Sequence, residues 1–197
     1  MLDTYVRPYI QPVLNVVSSL FIALRFTPLT VTFLAFVTGI ISAVFLSQDH
    51  VLSACALMWL SGLLDCVDGT IARLERTSTN WGAYNDLIAD RMVEAAIIAG
   101  FAFWRPVLMP VCFAFIVAVL FHFSTFAIAG SLFKNHGPKS MHYEASIVER
   151  GEAFIIFTLM MIFPQQSYLL LFGLTTLIAL TAFARYLRFS QFVSNDK

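Results

Sequence analysis

The chain has 197 residues, of which 59% are hydrophobic and 12% are charged, and its formal net charge is zero. A soluble domain averages about 45–50% apolar and about 25% charged residues, so this composition excludes an ordinary soluble protein and indicates an integral membrane protein. The zero net charge gives no support to nucleic acid as a partner.

Residues 1–26 alternate apolar and polar positions at helical spacing. The apolar positions are Leu2, Tyr5, Val6, Tyr9, Ile10, Val13, Val17, Leu20, Phe21 and Leu24. The opposite stripe consists of Thr4, Arg7, Gln11, Asn15 and Ser18. This pattern predicts an amphipathic helix in the membrane interface, kinked at Pro8 and Pro12, and not a signal peptide, which would have a short uninterrupted apolar core.

Six further stretches are long enough, or nearly so, to cross a bilayer, which takes about 20 helical residues. The predicted transmembrane helices are residues 28–47, 51–73, 83–104, 106–132, 149–163 and 167–189. The predicted fold is therefore an all-α integral membrane protein, a single domain over residues 1–197. Its interfacial helix precedes a six-helix membrane domain at residues 28–189.

The basic residues predict the orientation of this domain. If both termini lie on one side of the membrane, that side carries every lysine and arginine except Arg105. Because basic residues concentrate on the cytoplasmic side, we expect both termini in the cytoplasm, in a plasma or bacterial inner membrane. The polar segment at residues 65–90 then lies at the cytoplasmic face.

That polar segment holds four of the chain's aspartates. Asp65 and Asp68 are three residues apart and share one face of a predicted helix, and Asp86 and Asp90, four apart, share a face of the next. The polar stretch 75–80 reads as a turn, with Thr79 or Asn80 as the cap of the second helix. Two helices joined by a short turn run antiparallel, so we expect both pairs in one pocket.

Four ionised carboxylates in one partly buried pocket repel one another and require neutralisation. Oxygen ligands select hard cations such as Mg²⁺, Mn²⁺ or Ca²⁺, and four carboxylates suit two ions, which in turn suit a diphosphate substrate. Gly69 and Ala72 leave room beside the aspartates, Arg73 offers a fork for phosphate, and Gly82 is expected to let the two helices approach closely.

The segment resembles the signature of the CDP-alcohol phosphatidyltransferase family. The match is Asp65-x-x-Asp68-Gly69-x-x-Ala72-Arg73, then eight residues, then Gly82-x-x-x-Asp86-x-x-x-Asp90. The resemblance implies a metal-dependent enzyme of phospholipid synthesis. Such an enzyme moves a phosphatidyl group from CDP-diacylglycerol to a polar alcohol and releases CMP. It also implies two bound ions, Mg²⁺ or Mn²⁺, and a homodimer in the lipid bilayer.

The resemblance also assigns roles to residues. It implies that Asp65, Asp68 and Asp86 bind metal, that Asp90 is the general base and shares the second metal, and that Arg73 contacts phosphate during catalysis. The implied nucleotide contacts are Pro28, Leu29, Thr30, Val31, Gly69, Ala72, Arg73, Thr79 and Gly82. Leu29 replaces an asparagine common in the family, which leaves only backbone contacts at that position.

Three alternatives remain open from the sequence. One is a transferase of the same family that moves phosphocholine or phosphoethanolamine from a CDP-amino alcohol to diacylglycerol. Another is an ion-coupled transporter, although transporters place carboxylates near the midplane of repeated halves and no repeat is visible here. The third is an aspartate-rich prenyltransferase, whose two motifs lie on well-separated segments.

The acceptor alcohol is not identified by the motif, but the basic residues near the site favour an anionic, phosphorylated one. Candidates for its recognition are the basic loop at residues 134–144, the two arginines Arg185 and Arg188, and the start of the fifth span. That start carries Glu149, Arg150 and Glu152. Each has an ordinary structural explanation as well. Glu94, one turn beyond Asp90, is expected to pair with Arg91 or another cation, and His122 to be a packed histidine.

Overall fold

The computed structural model describes residues 2–132 and 150–195, with side chains described for 9–128 and 151–190. These residues form seven α-helices and no strand. The helices are α1 (Leu2–Ala23), α2 (Pro28–Ser47), α3 (Val51–Leu74), α4 (Asn80–Trp104), α5 (Met109–Leu132), α6 (Arg150–Ile162) and α7 (Ser167–Asn195), with a 3-10 turn at Pro106–Leu108 before α5. They divide into one compact unit at residues 3–109 and another from Pro110 onward.

The predicted helices appear at the predicted places, so the all-α fold is confirmed. Four segments are long and apolar enough to cross a membrane: Pro28–Ser47, Val51–Leu74, Pro106–Ile128 and Ser167–Ser190. Helix α4 is long enough but carries charged residues from Asp86 to Glu94, and α6 has 13 residues, fewer than a full crossing takes. The six-span count therefore stays a prediction.

In the unit at residues 3–109, α2 packs on both α3 and α4. Small residues allow this close approach. A Cβ on Gly39 would lie 2.5 Å from a methyl of Val93, and a Cβ on Gly100 would lie 2.8 Å from the carbonyl oxygen of Ala43. The Ser61 hydroxyl donates a 2.7 Å hydrogen bond to the Ala35 carbonyl, which fastens α3 to α2.

Helix α1 has two apolar faces. One face contributes Leu14 to a buried cluster with Val31 of α2 and with Val67 and Ile71 of α3, and the buried Ser18 hydroxyl donates to the Val67 carbonyl at 3.4 Å. The other face exposes Tyr9, Val13, Val16 and Leu20. Helix α1 runs unbroken from Leu2 to Ala23 through both prolines. Its place in the membrane interface stays a prediction.

The turn between α2 and α3 is tied to the end of α4. Asp49 has a left-handed backbone with φ 65°, and its carboxylate accepts a hydrogen bond from the Trp104 indole. The guanidinium of Arg105 lies 4.9 Å from the centre of the Trp104 ring. This contact fixes the end of the helix group remote from the aspartates.

In the second unit, α6 packs on α7, and Phe115 of α5 meets Phe157 of α6 edge to face at 6.1 Å. Arg185 of α7 is buried: its guanidinium donates to the His122 carbonyl at 3.4 Å and lies 5.7 Å from the Phe126 ring. These contacts give Arg185 a structural role within this unit. The acceptor candidates at residues 134–144 and Glu149 lie outside the described residues, as does the side chain of Arg150.

Candidate active site

Three of the four aspartates of the polar segment meet in space. Asp65 and Asp68 lie on α3 and Asp86 lies on α4, and one carboxylate oxygen from each falls within 4.8 Å of the others. The prediction that the turn between these helices brings their carboxylates together is confirmed for these three residues. α3 ends at Leu74 and α4 begins at Asn80, so the turn also lies where the sequence places it.

Asp68 is the most enclosed of the three. Its residue is 5% exposed, and its Oδ2 atom is buried without a hydrogen-bond partner among the described residues. An ionised carboxylate in such a place carries a large desolvation cost unless a cation compensates it. Three clustered carboxylates with an unsatisfied buried oxygen therefore fit a hard divalent cation, which prefers oxygen ligands.

Asp90 is not a member of the group within 4.8 Å. It follows Asp86 by one helical turn on α4, so it lies on the same face of that helix but deeper along it. Its predicted roles as metal ligand and as general base stay predictions. One turn further on, Glu94 forms a 2.6 Å ion pair with Arg91, as the sequence predicted.

A cavity of about 310 Å³ opens at the aspartate cluster and is lined by two of its members, Asp68 and Asp86. Nine of the residues singled out from the sequence line it: Pro28, Leu29, Asp68, Gly69, Ala72, Arg73, Thr79, Gly82 and Asp86. The lining also includes residues that the sequence did not assign to a site, namely Thr27, Thr32, Thr77, Ser78, Trp81 and Ala83. The cavity therefore combines the start of α2, the last turns of α3 and the start of α4.

Two helix N-termini border this cavity. The Thr27 hydroxyl caps α2 by accepting from the Thr30 backbone NH at 3.3 Å, and the Thr79 hydroxyl caps α4 by accepting from the Gly82 NH at 3.0 Å. Helix N-termini carry a partial positive charge and free NH groups, which favour anionic groups such as phosphates. The cavity thus offers positive helix ends on one side and a cluster of carboxylates on the other.

Gly69 and Gly82 of the motif have different surroundings from Gly39 and Gly100, which lie where helices pack together. Within the part of the chain that the structure describes, a Cβ on Gly69 would meet only the Arg73 guanidinium, at 3.4 Å, and Gly69 lines the cavity. Among the described residues, a Cβ on Gly82 would meet only the Thr79 hydroxyl, at 3.3 Å. The expectation that Gly82 lets α4 approach α3 closely is therefore wrong, because the nearest neighbour of this glycine is its own helix cap.

Arg73 lines the cavity, and its guanidinium donates a 3.0 Å hydrogen bond to the Thr70 hydroxyl. Thr70 is itself buried and donates to the Cys66 carbonyl, so it holds one end of the Arg73 guanidinium in place. A planar guanidinium held in this way has the fork geometry that suits a phosphate.

Two predicted nucleotide contacts lie away from the cavity lining. The Val31 side chain is fully buried in the apolar cluster with Leu14, and the Thr30 hydroxyl hydrogen-bonds the Thr27 hydroxyl at 2.9 Å. The cavity face of α2 consists instead of Pro28, Leu29 and Thr32. The sequence could have predicted Thr32 as a lining residue, because Thr32 follows Pro28 by one helical turn and so lies on the same face of α2.

The chain matches the family model described as CDP-alcohol phosphatidyltransferase over residues 25–186. It is 29% identical over 173 residues to the inner membrane protein YnjF of Escherichia coli, a match that covers 83% of each chain. It is 33% identical over 106 residues to the phosphatidylinositol phosphate synthase of Streptomyces avermitilis, but this match covers 53% of the chain and only 43% of that synthase.

Solved structures share the fold. The crystal structure of Mycobacterium tuberculosis phosphatidylinositol phosphate synthase with CDP-DAG bound superposes with a TM-score of 0.76 at 18% identity, covering 89% of this chain and 92% of that one. The same enzyme in complex with manganese and citrate gives a TM-score of 0.76 at 20% identity, covering 88% and 87%. The chain therefore belongs to the CDP-alcohol phosphatidyltransferase family, and it is an integral membrane transferase of phospholipid biosynthesis with a divalent-metal cofactor, Mg²⁺ or Mn²⁺, which its aspartate cluster could hold.

Proposed function

We propose that the protein transfers a phosphatidyl group from CDP-diacylglycerol to a polar alcohol and releases CMP. The observation that carries this proposal is the meeting of Asp65, Asp68 and Asp86 within 4.8 Å beside a cavity that also holds Arg73 and two helix N-termini. A site of this kind suits a diphosphate whose charge is shared between cations and positive protein groups. The CDP-DAG bound to the tuberculosis synthase of the same fold supports this donor.

The aspartates and Arg73 bind the donor in different ways. Asp65, Asp68 and Asp86 would bind two divalent ions, with Asp90 as a shared ligand of the second. When bound, such ions offset the negative charge of the diphosphate and of the departing CMP. Arg73 binds a phosphate oxygen, and the start of α2 and the start of α4 present backbone NH groups to the nucleotide half.

Asp90 is the proposed general base. An ionised carboxylate one turn beyond Asp86 can take the proton from the acceptor hydroxyl as its oxygen attacks the β-phosphorus. A phosphorus–oxygen bond to the acceptor forms, and the bond to the oxygen of CMP breaks. The proton remains on Asp90 until it passes to water.

For the acceptor, we propose a phosphorylated polyol, with inositol phosphate as the first compound to test. Several relatives of the chain bear names of this chemistry. They are the phosphatidylinositol phosphate synthases of Mycobacteroides abscessus and Streptomyces avermitilis and, at 26% identity over 77% of the chain, the archaetidylinositol phosphate synthase of Pyrococcus horikoshii. The basic composition of the predicted cytoplasmic side, including Arg188 and the loop at residues 134–144, favours the same anionic class.

The proposed setting is a plasma membrane crossed six times, with both termini and the metal site at the cytoplasmic face and α1 in the interface. The apolar outer face of α1 supports this, because Tyr9, Val13 and Val16 are exposed while the opposite face is packed. A homodimer, as the family resemblance implies, is part of the proposal.

The direct test uses purified protein in detergent with CDP-diacylglycerol, Mg²⁺ and a panel of acceptors. We expect CMP release that depends on the acceptor, with inositol phosphate more effective than inositol, glycerol phosphate or serine. Release with a CDP-amino alcohol and diacylglycerol instead would assign the enzyme to the other branch of the family. No CMP release with any acceptor, from protein that binds Mn²⁺, would contradict the proposed reaction.

A further inference from the structure

Trp81, at the start of α4, is the aromatic residue among those lining the cavity. It is 64% exposed, although a tryptophan buries a large apolar surface when it packs inside a protein. The neighbouring Tyr84 ring lies nearly parallel to it, with ring centres 5.7 Å apart and an interplanar angle of 20°. The indole is thus supported from one side and leaves surface open towards the cavity.

The rest of the lining explains why this indole matters. Asp68, Asp86 and Arg73 suit the diphosphate half of a nucleotide, because they supply cation ligands and a phosphate fork. The carboxylates offer no flat surface to a base, and the Arg73 guanidinium is assigned to the phosphates. A nucleobase that enters water-exposed protein sites commonly stacks on an aromatic side chain or a guanidinium plane. Among the described cavity residues, Trp81 supplies such a ring.

We infer that Trp81 is the stacking surface for the pyrimidine ring of the donor, and that Tyr84 is a positioning residue that holds the indole parallel to the base. This inference rests on the proposed CDP-linked donor. It assigns Trp81 a share of the affinity for the nucleotide and none of the affinity for the diphosphate. The competing explanation is that Trp81 only anchors α4 in the membrane interface, where tryptophan and tyrosine are enriched.

Tryptophan fluorescence separates these explanations. The chain has three tryptophans, so replacement of Trp59 and Trp104 by Phe leaves Trp81 as the single reporter. In detergent with Mn²⁺ kept constant, we expect CDP to quench this fluorescence in a saturable way and inorganic diphosphate, which has no base, to leave it nearly unchanged. Equal responses to the two ligands would overturn the inference, because the signal would then report charge or metal binding and not stacking.

Affinity measurements provide the second readout. Alanine substitution of a stacked aromatic weakens binding by roughly 5- to 150-fold per base, so Trp81→Ala should lose about that factor in CDP affinity and keep its affinity for inorganic diphosphate. Trp81→Phe should retain most of the CDP affinity, and Tyr84→Leu should show a smaller loss. Trp59→Leu, which removes a tryptophan of α3 that does not line the cavity, is the matched control.

The outcomes distinguish this inference from the proposed function. If the unaltered protein binds CDP and Trp81→Ala binds it equally well, stacking by Trp81 is refuted and the donor assignment stands. If the unaltered protein binds diphosphate but shows no preference for CDP, both the donor assignment and the stacking role are refuted. A loss of CDP and diphosphate affinity by the same factor in Trp81→Ala would mean that the residue supports the fold of the site, and it would overturn the inference.

Discussion

Asp68 of α3 and Asp86 of α4 each place a carboxylate oxygen within 4.8 Å of the other, and Asp68 is 5% exposed. Two negative charges this close in a partly buried site destabilise the fold when no cation is bound. The site therefore links the stability of the protein to its metal.

The first prediction concerns this link. A ligand that binds only the folded state stabilises it by about 2.7 kcal/mol when present at 100 times its dissociation constant. Mn²⁺ or Mg²⁺ should therefore raise the unfolding temperature of the wild-type protein in detergent. Asp68→Asn should be at least as stable as wild type in EDTA, because one repelling charge is gone, and should gain little from Mn²⁺. An Asp68→Asn protein stabilised by Mn²⁺ as strongly as wild type would exclude Asp68 as a ligand.

The second prediction separates Asp90 from the three clustered aspartates. If Asp90 acts chiefly as the base, Asp90→Asn should abolish CMP release while CDP binding in the presence of Mn²⁺ largely survives. Asp65→Asn, Asp68→Asn and Asp86→Asn should weaken Mn²⁺ binding and CDP binding together. Calorimetry on the four variants provides the comparison. Equal loss of nucleotide binding in all of them would make Asp90 a ligand and remove the base assignment.

The third prediction uses two glycines of different surroundings. Gly69→Leu should block CDP binding and change the free energy of unfolding by no more than about 1 kcal/mol, because the one described neighbour of a Cβ there is the Arg73 side chain. Gly100→Leu should destabilise the protein by about 1–3 kcal/mol or more, because its Cβ would lie 2.8 Å from the Ala43 carbonyl of α2. Near-native CDP affinity in a folded Gly69→Leu protein would show that this space does not receive the nucleotide.

The fourth prediction concerns Thr32. Its hydroxyl donates to the Pro28 carbonyl at 3.0 Å, and Thr32 lines the cavity beside Asp68 as an electrostatic neighbour of that carboxyl group. Groups that orient a metal ligand typically contribute 10- to 100-fold to metal affinity, so we expect Thr32→Val to weaken Mn²⁺ binding by about tenfold. Thr32→Ser, which keeps the hydroxyl, should restore it. Titration of Mn²⁺ by electron paramagnetic resonance measures both, and equal affinities in Val and Ser variants would contradict the role.

The fifth prediction tests the topology. Three predicted crossings separate Ser78, in the turn between α3 and α4, from Gln165, between α6 and α7. Cysteines placed there after replacement of Cys55, Cys66 and Cys112 should therefore label from opposite sides. We expect Gln165→Cys to react with an impermeant thiol reagent in intact cells, and Ser78→Cys to react only after the membrane is opened. The reverse pattern would place the metal site on the side without CTP-derived nucleotides.

Local sequence patterns determined much of this structure. The apolar runs, the prolines at 28 and 106 and the caps at Thr27 and Thr79 determined where the helices lie, because helix boundaries follow from nearby residues. The spacing of Asp65, Asp68 and Asp86 also predicted that they share one pocket, because two helices joined by a short turn run antiparallel.

Only the tertiary structure decided which neighbours complete the site. Val31 falls within a contact stretch predicted from the sequence, yet it packs against α1, while Thr32 beside it faces the cavity. Gly82 meets its own cap and not α3, and Trp81 opens onto the cavity. These differences depend on how α1, α2, α3 and α4 pack against one another. That packing joins residues far apart in the sequence, which local periodicity does not encode.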